Sequence, residues 1–191
     1  MLAAGEASRM GSIKQLLPYN NSTLLEITIQ NALASKARKV YCVLGANSEA
    51  IKSQLKNSRA TFINNPNWKD GLSSSIVTGV SYLESIKEKT KAILIMLSDQ
   101  PNVDSDYIDA LINLYSKNQD KVIASDYGDK KGVPAIFPKL FNKQLMRLKG
   151  DKGAKDFLNN KEINIITLAS KNRGVLKDID TLEDYNKLLD K

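Results

Sequence analysis

Strand-like and helix-like stretches alternate along most of this 191-residue chain. That rhythm predicts an α/β fold with a doubly wound, mostly parallel sheet and a small antiparallel edge or flap. Two further observations carry the prediction. The strand-like runs are short and β-branched and end in polar residues or glycine. One of them, AILIML at 92–97, is apolar without interruption, as suits a sheet covered on both faces.

Taken in order, the elements begin with a difficulty. In an open α/β sheet the first strand ordinarily precedes the phosphate loop and lies centrally. Only MLAA precedes Gly5, so either this strand is very short or the natural start lies upstream of Met1. Thr23 and Glu26 then stand in capping-box spacing ahead of Ile29 and Leu33, which predicts a first helix. Strands are predicted at 39–45, 60–65, 92–97 and 121–127. Helices between them carry Ile51 and Leu55, then Ile76, Val80 and Leu83 after the Ser73–Ser75 triplet, then Ile108, Leu111, Ile112 and Tyr115. After residue 127 the rhythm breaks. GDKKG turns into a short strand PAIFP, a helical stretch follows at 139–150, and NIITLA and GVLKDI read as two more strands before a helix from about Thr181. The length predicts one domain over residues 1–191.

Composition removes whole classes of chemistry. There is no histidine, which excludes His-based triads, imidazole bases and His-ligated zinc. The single cysteine, Cys42, lies in the strand-like KVYCVLG and reads as a small buried hydrophobe. Any metal must therefore sit on oxygen ligands, which points to a hard cation such as Mg²⁺. The formal net charge of +7 is dispersed, and no basic run alternates with aromatics, so no nucleic-acid partner is expected. No apolar run is long enough to cross a bilayer and no signal-peptide core is visible, so a soluble cytoplasmic protein without membrane partners is expected.

The opening segment reads L-A-A-G-x-x-x-R-M-G-x-x-K. It is neither a Walker A loop nor a G-x-G-x-x-G fingerprint. A glycine-rich turn after a strand can aim several backbone N–H groups into one concavity, an anion nest. Arg9 can grip phosphate oxygens in a fork, Lys14 adds a mobile charge, and Gly5 and Gly11 allow close backbone approach. A basic turn holding nothing explains each residue singly but not their combination.

Asp99 follows an apolar strand, where open sheets place their ligands, and reads either as a metal carboxylate or as a turn or capping residue before Pro101. Asp178 and Asp180, two apart, share one side of an extended segment; chelation and solvent exposure both fit, and Thr181 with Asp184 can form a capping pair. NPNWKDGLSSS ends at a helix start suited to an anion, although a Ser N-cap with Trp68 as packing fits equally.

Six blocks in order carry a resemblance: the segment 2–14, NPNWKDGLSSSIVTG at 65–79, LSDQP at 97–101, GVPAIF at 132–137, LKGDKGAKDFL at 148–158 and DIDTLEDY at 178–185. Together they resemble the nucleotidyltransferases of the molybdenum cofactor group, in the MobA-like NTP-transferase superfamily, and among these the cytidylyltransferases. The resemblance implies a Rossmann-like nucleotidyltransferase fold and transfer of CMP from CTP to the phosphate of a molybdopterin cofactor, with release of pyrophosphate. It makes Asp99 a catalytic metal ligand and Asp180 the second ligand of Mg²⁺, with Arg9 and Lys14 neutralising phosphate charge. Leu2, Ala3, Ala4, Gly5 and Gly11 would cradle the nucleotide, with further contacts at Gly71 and Ser75, and the block around Lys155 would lie near the acceptor phosphate.

No protein nucleophile is needed, because an ionised phosphate attacks unaided. Leu-Ala-Ala-Gly accompanies CTP in this group and Leu-Ala-Gly-Gly accompanies GTP, so Ala3 and Ala4 favour cytidine. The alternatives are guanylyl transfer, another phosphorylated acceptor, or a noncatalytic nucleotide-binding subunit. Implied partners are CTP or GTP, a molybdopterin-type acceptor, and a molybdoenzyme or its chaperone. Three positions depart from the pattern: Val133 stands where His is common, Leu182 where Pro is common, and Lys155 where Arg is usual.

Overall fold

Cys42 and Leu44 pack on one side of their strand and Val43 on the other, and this two-residue alternation divides the buried side chains into two cores. The computed structural model describes residues 1–6, 11–170 and 173–190. β1 (Leu2–Ala3) pairs in parallel with β4 (Tyr41–Leu44), and β4 pairs in parallel with β5 (Thr61–Asn64). A second group runs in the order β6 (Ala92–Ile95), β8 (Lys131–Pro138), β7 (Val122–Asp126), β9 (Ile165–Ala169). Leu2 joins the two groups: its N–H donates to the Met96 carbonyl at 2.9 Å and its carbonyl accepts from the Ser98 N–H at 3.1 Å. β2 (Pro18–Tyr19) and β3 (Ser22–Thr23) form a separate small hairpin.

Helices cover both faces, as the uninterrupted strands require. α1 (Leu24–Ala34), α2 (Ser48–Gln54) and α4 (Ser105–Ser116) bury Leu25, Ile29, Ile51, Ile108 and Leu111 against one face. α3 (Leu72–Ser85), α5 (Asn142–Leu145) and α6 (Lys155–Leu158) bury Ile76, Val80, Leu145, Phe157 and Leu158 against the other. α7 (Leu182–Leu189) begins with a complete Thr181–Asp184 capping box. Cys42 is fully buried, and burial pushes its thiol pKa up to about 12. No described helix is long and apolar enough to cross a membrane.

The doubly wound, mostly parallel sheet is present. Three details differ from the sequence expectation. The antiparallel strand β8 is not at an edge; it lies inside the sheet, paired on both sides with β6 and β7. The placement follows from its run of buried side chains, Pro134 to Pro138, which need cover on both faces. GVLKDI is not a strand. Residues Arg173–Leu176 form a 3₁₀ turn, after which the Ile179 N–H donates to the Asp99 carbonyl at 2.9 Å and Asp178 accepts from Gln100 Nε2 at 2.8 Å. The helical stretch at 139–150 shortens to a 3₁₀ turn and α5, and Gly150 then takes φ +75°.

β1 is two residues long. An apolar cavity of about 510 Å³ is lined by Met1, Val40, Tyr41, Ile93, Val80 and Ile112.

Candidate active site

The carboxyl ends of β1, β4 and β6 meet where the strand order reverses, the position at which open α/β sheets bind ligands. A cleft of about 1000 Å³ opens there. Leu2, Ala3, Ala4 and Gly5 line one wall, Trp68, Gly71 and Ser75 another, and Lys14, Asp99, Asp178 and Asp180 gather at one end. Leu2, Ala3 and Ala4 are buried, so it is mainly their backbone edge that faces the cleft.

Lys14 comes from a 3₁₀ turn after the opening loop, Asp99 from the turn that follows β6 and Asp180 from the segment before α7. The Lys14 ammonium donates to Asp99 Oδ2 at 2.7 Å and to Asp180 Oδ1 at 3.1 Å, which brings together three groups far apart in sequence. Burial acts to lower the Lys14 pKa, but the negative charge and hydrogen bond of Asp99, with help from Asp180, outweigh it and leave the pKa raised. Asp99 does not cap α4; that role belongs to Asp104, whose carboxylate accepts from the Tyr107 N–H at 2.8 Å. Asp99 Oδ1 is buried without a hydrogen-bond partner.

That orphaned oxygen fits a cation. Among the described residues no group of three or more acidic or Cys side chains could hold a metal by itself. Two carboxylates plus substrate phosphates match the habits of Mg²⁺, which binds few protein oxygens and keeps its remaining positions for phosphate and water.

The remaining expected residues are distributed unevenly. Arg9 lies outside the described residues. Gly11 takes φ +62° but is not among the cleft-lining residues. Gly71 lines the cleft with φ +91°, and a Cβ there would lie 2.7 Å from the Asp151 Cα. The start of α3 has no Ser cap. Its Leu72 N–H donates to Asp151 Oδ1 at 3.2 Å and its Ser73 N–H to the Gly150 carbonyl at 3.2 Å, so two of its free donors are already engaged. Ser75 is buried and accepts from Asn65 Nδ2 at 3.1 Å. Val133 and Lys155 lie outside the cleft lining, whereas Trp68 is half-buried and lines it rather than serving only as packing.

Residues 1–165 match the MobA-like NTP transferase domain. The chain belongs to the MobA-like NTP transferase family. Three curated relatives are similar over nearly the whole length. Nicotine blue oxidoreductase of Paenarthrobacter nicotinovorans is 28% identical, over 99% of this chain and 94% of that one. Purine catabolism protein PucB of Bacillus subtilis is 29% identical, over 97% and 92%. Molybdenum cofactor cytidylyltransferase of Escherichia coli is 25% identical, over 96% and 90%. Among solved structures, Rv0371c of Mycobacterium tuberculosis superposes with a TM-score of 0.83 at 26% identity, covering 100% of this chain and 96% of that one. That protein has also been solved in complex with manganese.

Several residues of this MobA-like transferase escaped sequence reasoning. Gln15, 4% exposed, donates through Nε2 to the carbonyls of Ala3 at 3.1 Å and Gly5 at 2.9 Å, pinning the backbone of the opening loop. Its place directly after Lys14 is its only signal. Asn65, fully buried at the end of β5, bonds Ser74, Ser75, Thr78 and the Asn67 N–H, and so fixes the cleft wall. Gln100 donates to Asp178 Oδ1 and to the Tyr127 hydroxyl, both at 2.8 Å.

Asp178 is half-buried beside two other carboxylates. Burial first, and then the charge of Asp99, push its pKa from 3.8 up to about 6. The folded chain thus holds this proton to higher pH than the unfolded one, so stability falls as pH rises from about 4 to about 6. Asp178→Asn removes that decline. With EDTA present, the variant is expected to match the parent near pH 4 and exceed it by about 1–2 kcal/mol at pH 7, after allowance for partial solvent access. Urea unfolding at both pH values checks this, and equal stabilities at pH 7 would refute it.

Proposed function

We propose that this protein transfers CMP from CTP to the phosphate of a molybdopterin-type cofactor and releases pyrophosphate. The observation that carries the reading is the pair Asp99 and Asp180, drawn together by Lys14 at the end of the cleft beside the Leu2–Gly5 wall. In this reading the acceptor phosphate supplies the nucleophile, so no histidine or reactive cysteine is needed. A divalent cation, Mg²⁺ by preference, would be held by Asp99 and Asp180 and would supply Lewis-acid stabilisation of charge at the α-phosphate.

The chain's own groups do the rest. Lys14 and Arg9 neutralise charge on the departing pyrophosphate, and backbone groups at Ala3 to Gly5, held by Gln15, orient the nucleotide. Gly71 and Ser75, which line the cleft, complete the assigned nucleotide contacts. The cytidine assignment is supported by the Ala3–Ala4 pair and by the relative named as a cytidylyltransferase.

A second reading keeps the chemistry and changes the substrates. Two of the relatives are named for nicotine blue and purine metabolism, and Val133 stands where the cytidylyltransferases commonly carry His. Guanylyl transfer, or transfer to another phosphorylated acceptor, follows from that reading. A molybdenum cofactor that carries the added nucleotide would pass to a molybdoenzyme or its chaperone.

Pyrophosphate release, measured with each of CTP, GTP, ATP and UTP in the presence of Mg²⁺ and molybdopterin or its molybdenum form, tests both readings. Release with CTP alone is expected. Release with GTP would move the base assignment, and release only after the acceptor is changed would move the acceptor. Silence throughout, in folded protein that binds no nucleotide by calorimetry, would overturn the transferase assignment.

A further inference from the structure

Lys14 stands where the proposed function needs a metal ion. Its ammonium is hydrogen-bonded to one oxygen of Asp99 and one of Asp180, at 2.7 and 3.1 Å, and its side chain is only 13% exposed. A divalent cation bridging the same two carboxylates cannot share that space with an ammonium, because two cations in one small cleft repel strongly. Lys14 must therefore leave the carboxylates when a metal enters. The same side chain borders the Ala3–Gly5 wall, where the proposed triphosphate would lie, so phosphate oxygens are the natural new partners of its charge.

We propose that Lys14 is a resident counter-cation that couples metal binding to nucleotide binding: it occupies the Asp99–Asp180 pair until a triphosphate arrives to receive it. The inference rests on the metal-dependent reading above and adds an order of events. Before nucleotide binds, Lys14 lowers the repulsion between the carboxylates and opposes a bare divalent ion. Once triphosphate is present, Lys14 changes from competitor to phosphate ligand. Metal and triphosphate then favour each other's binding, and by linkage the coupling is the same in either direction. Asp99 Oδ1, which Lys14 leaves without a partner, is the oxygen most in need of the arriving cation.

The test needs no turnover. Mn²⁺ binding is measured by the loss of the free-ion signal in electron paramagnetic resonance, without nucleotide, on the parent chain, on Lys14→Met and on Lys14→Gln. The second variant keeps an amide donor and stands in if the first does not fold, with circular dichroism reporting folding. Both variants are expected to bind Mn²⁺ about tenfold more tightly than the parent, as removal of a competing charge predicts. Asp99→Asn serves as the control that should lose the ion.

Equal or weaker Mn²⁺ binding in the folded lysine variants, with loss of binding in Asp99→Asn, would overturn the counter-cation role while leaving the metal site standing. Absence of Mn²⁺ binding in every form, with CTP present as well as without, would overturn the metal site and this inference with it.

Discussion

Asp99→Asn is expected to lower pyrophosphate release by about a thousandfold or more, the scale on which loss of a central electrostatic group acts. The side chain keeps its shape but loses its charge. The pair that Lys14 draws together then has one carboxylate instead of two, and the buried Oδ1 that stands ready for a cation becomes part of a neutral amide. The fold has little reason to fail, because the backbone contact that this position makes, its carbonyl accepting from the Ile179 N–H, is untouched. A melting temperature within a few degrees of the parent, together with the activity loss, would place the effect in chemistry. An active Asp99→Asn protein would remove the carboxylate pair from the mechanism and return the noncatalytic nucleotide-binding reading to consideration.

The second large effect concerns stability. Phe137 on β8 is fully buried in the second core, edge-on to Phe157 at 5.5 Å, and Phe157 in turn meets Phe141 edge-on at 5.4 Å. This aromatic chain fastens α6 and the turn before it to the sheet, and that turn supplies Gly150 and Asp151 to the start of α3. Phe137→Ala removes a ring from a site closed on all sides, so a cavity adds to the lost burial and the expected destabilisation is about 3–5 kcal/mol. For a chain of this size the melting temperature should fall by roughly 10 °C. Thermal and urea unfolding check the value. A fall of under roughly 1 kcal/mol, within the range of a tolerated core swap, would mean that the surrounding rings close over the gap.

Much of the fold was legible because burial leaves a one-dimensional trace. AILIML, KVYCVLG and KVIASDY are strands because their apolar residues must be covered on both faces, and the structure places strands in all three. Thr23 caps α1 as its spacing predicts, and Thr181 with Asp184 forms the full capping box. These are local rules, acting within one turn or one strand, so a sequence can display them. GVLKDI misled for the same reason. Its apolar pattern records burial of Leu176 and Ile179, and burial alone does not distinguish a strand from a turn held against the sheet by Gln100 and Asp99.

The alternation of strands and helices, the exclusion of histidine chemistry and the candidate carboxylates Asp99 and Asp180 can be read from residue order alone. Folding brings these two carboxylates together through Lys14, 85 and 166 residues away along the chain. Folding likewise sets Asp151 against the start of α3, Asn65 against Ser75, and Gln15 against the opening loop. Hydrogen bonds and ion pairs between distant residues depend on where the sheet brings the chain back, and no periodicity or spacing along the sequence encodes that return.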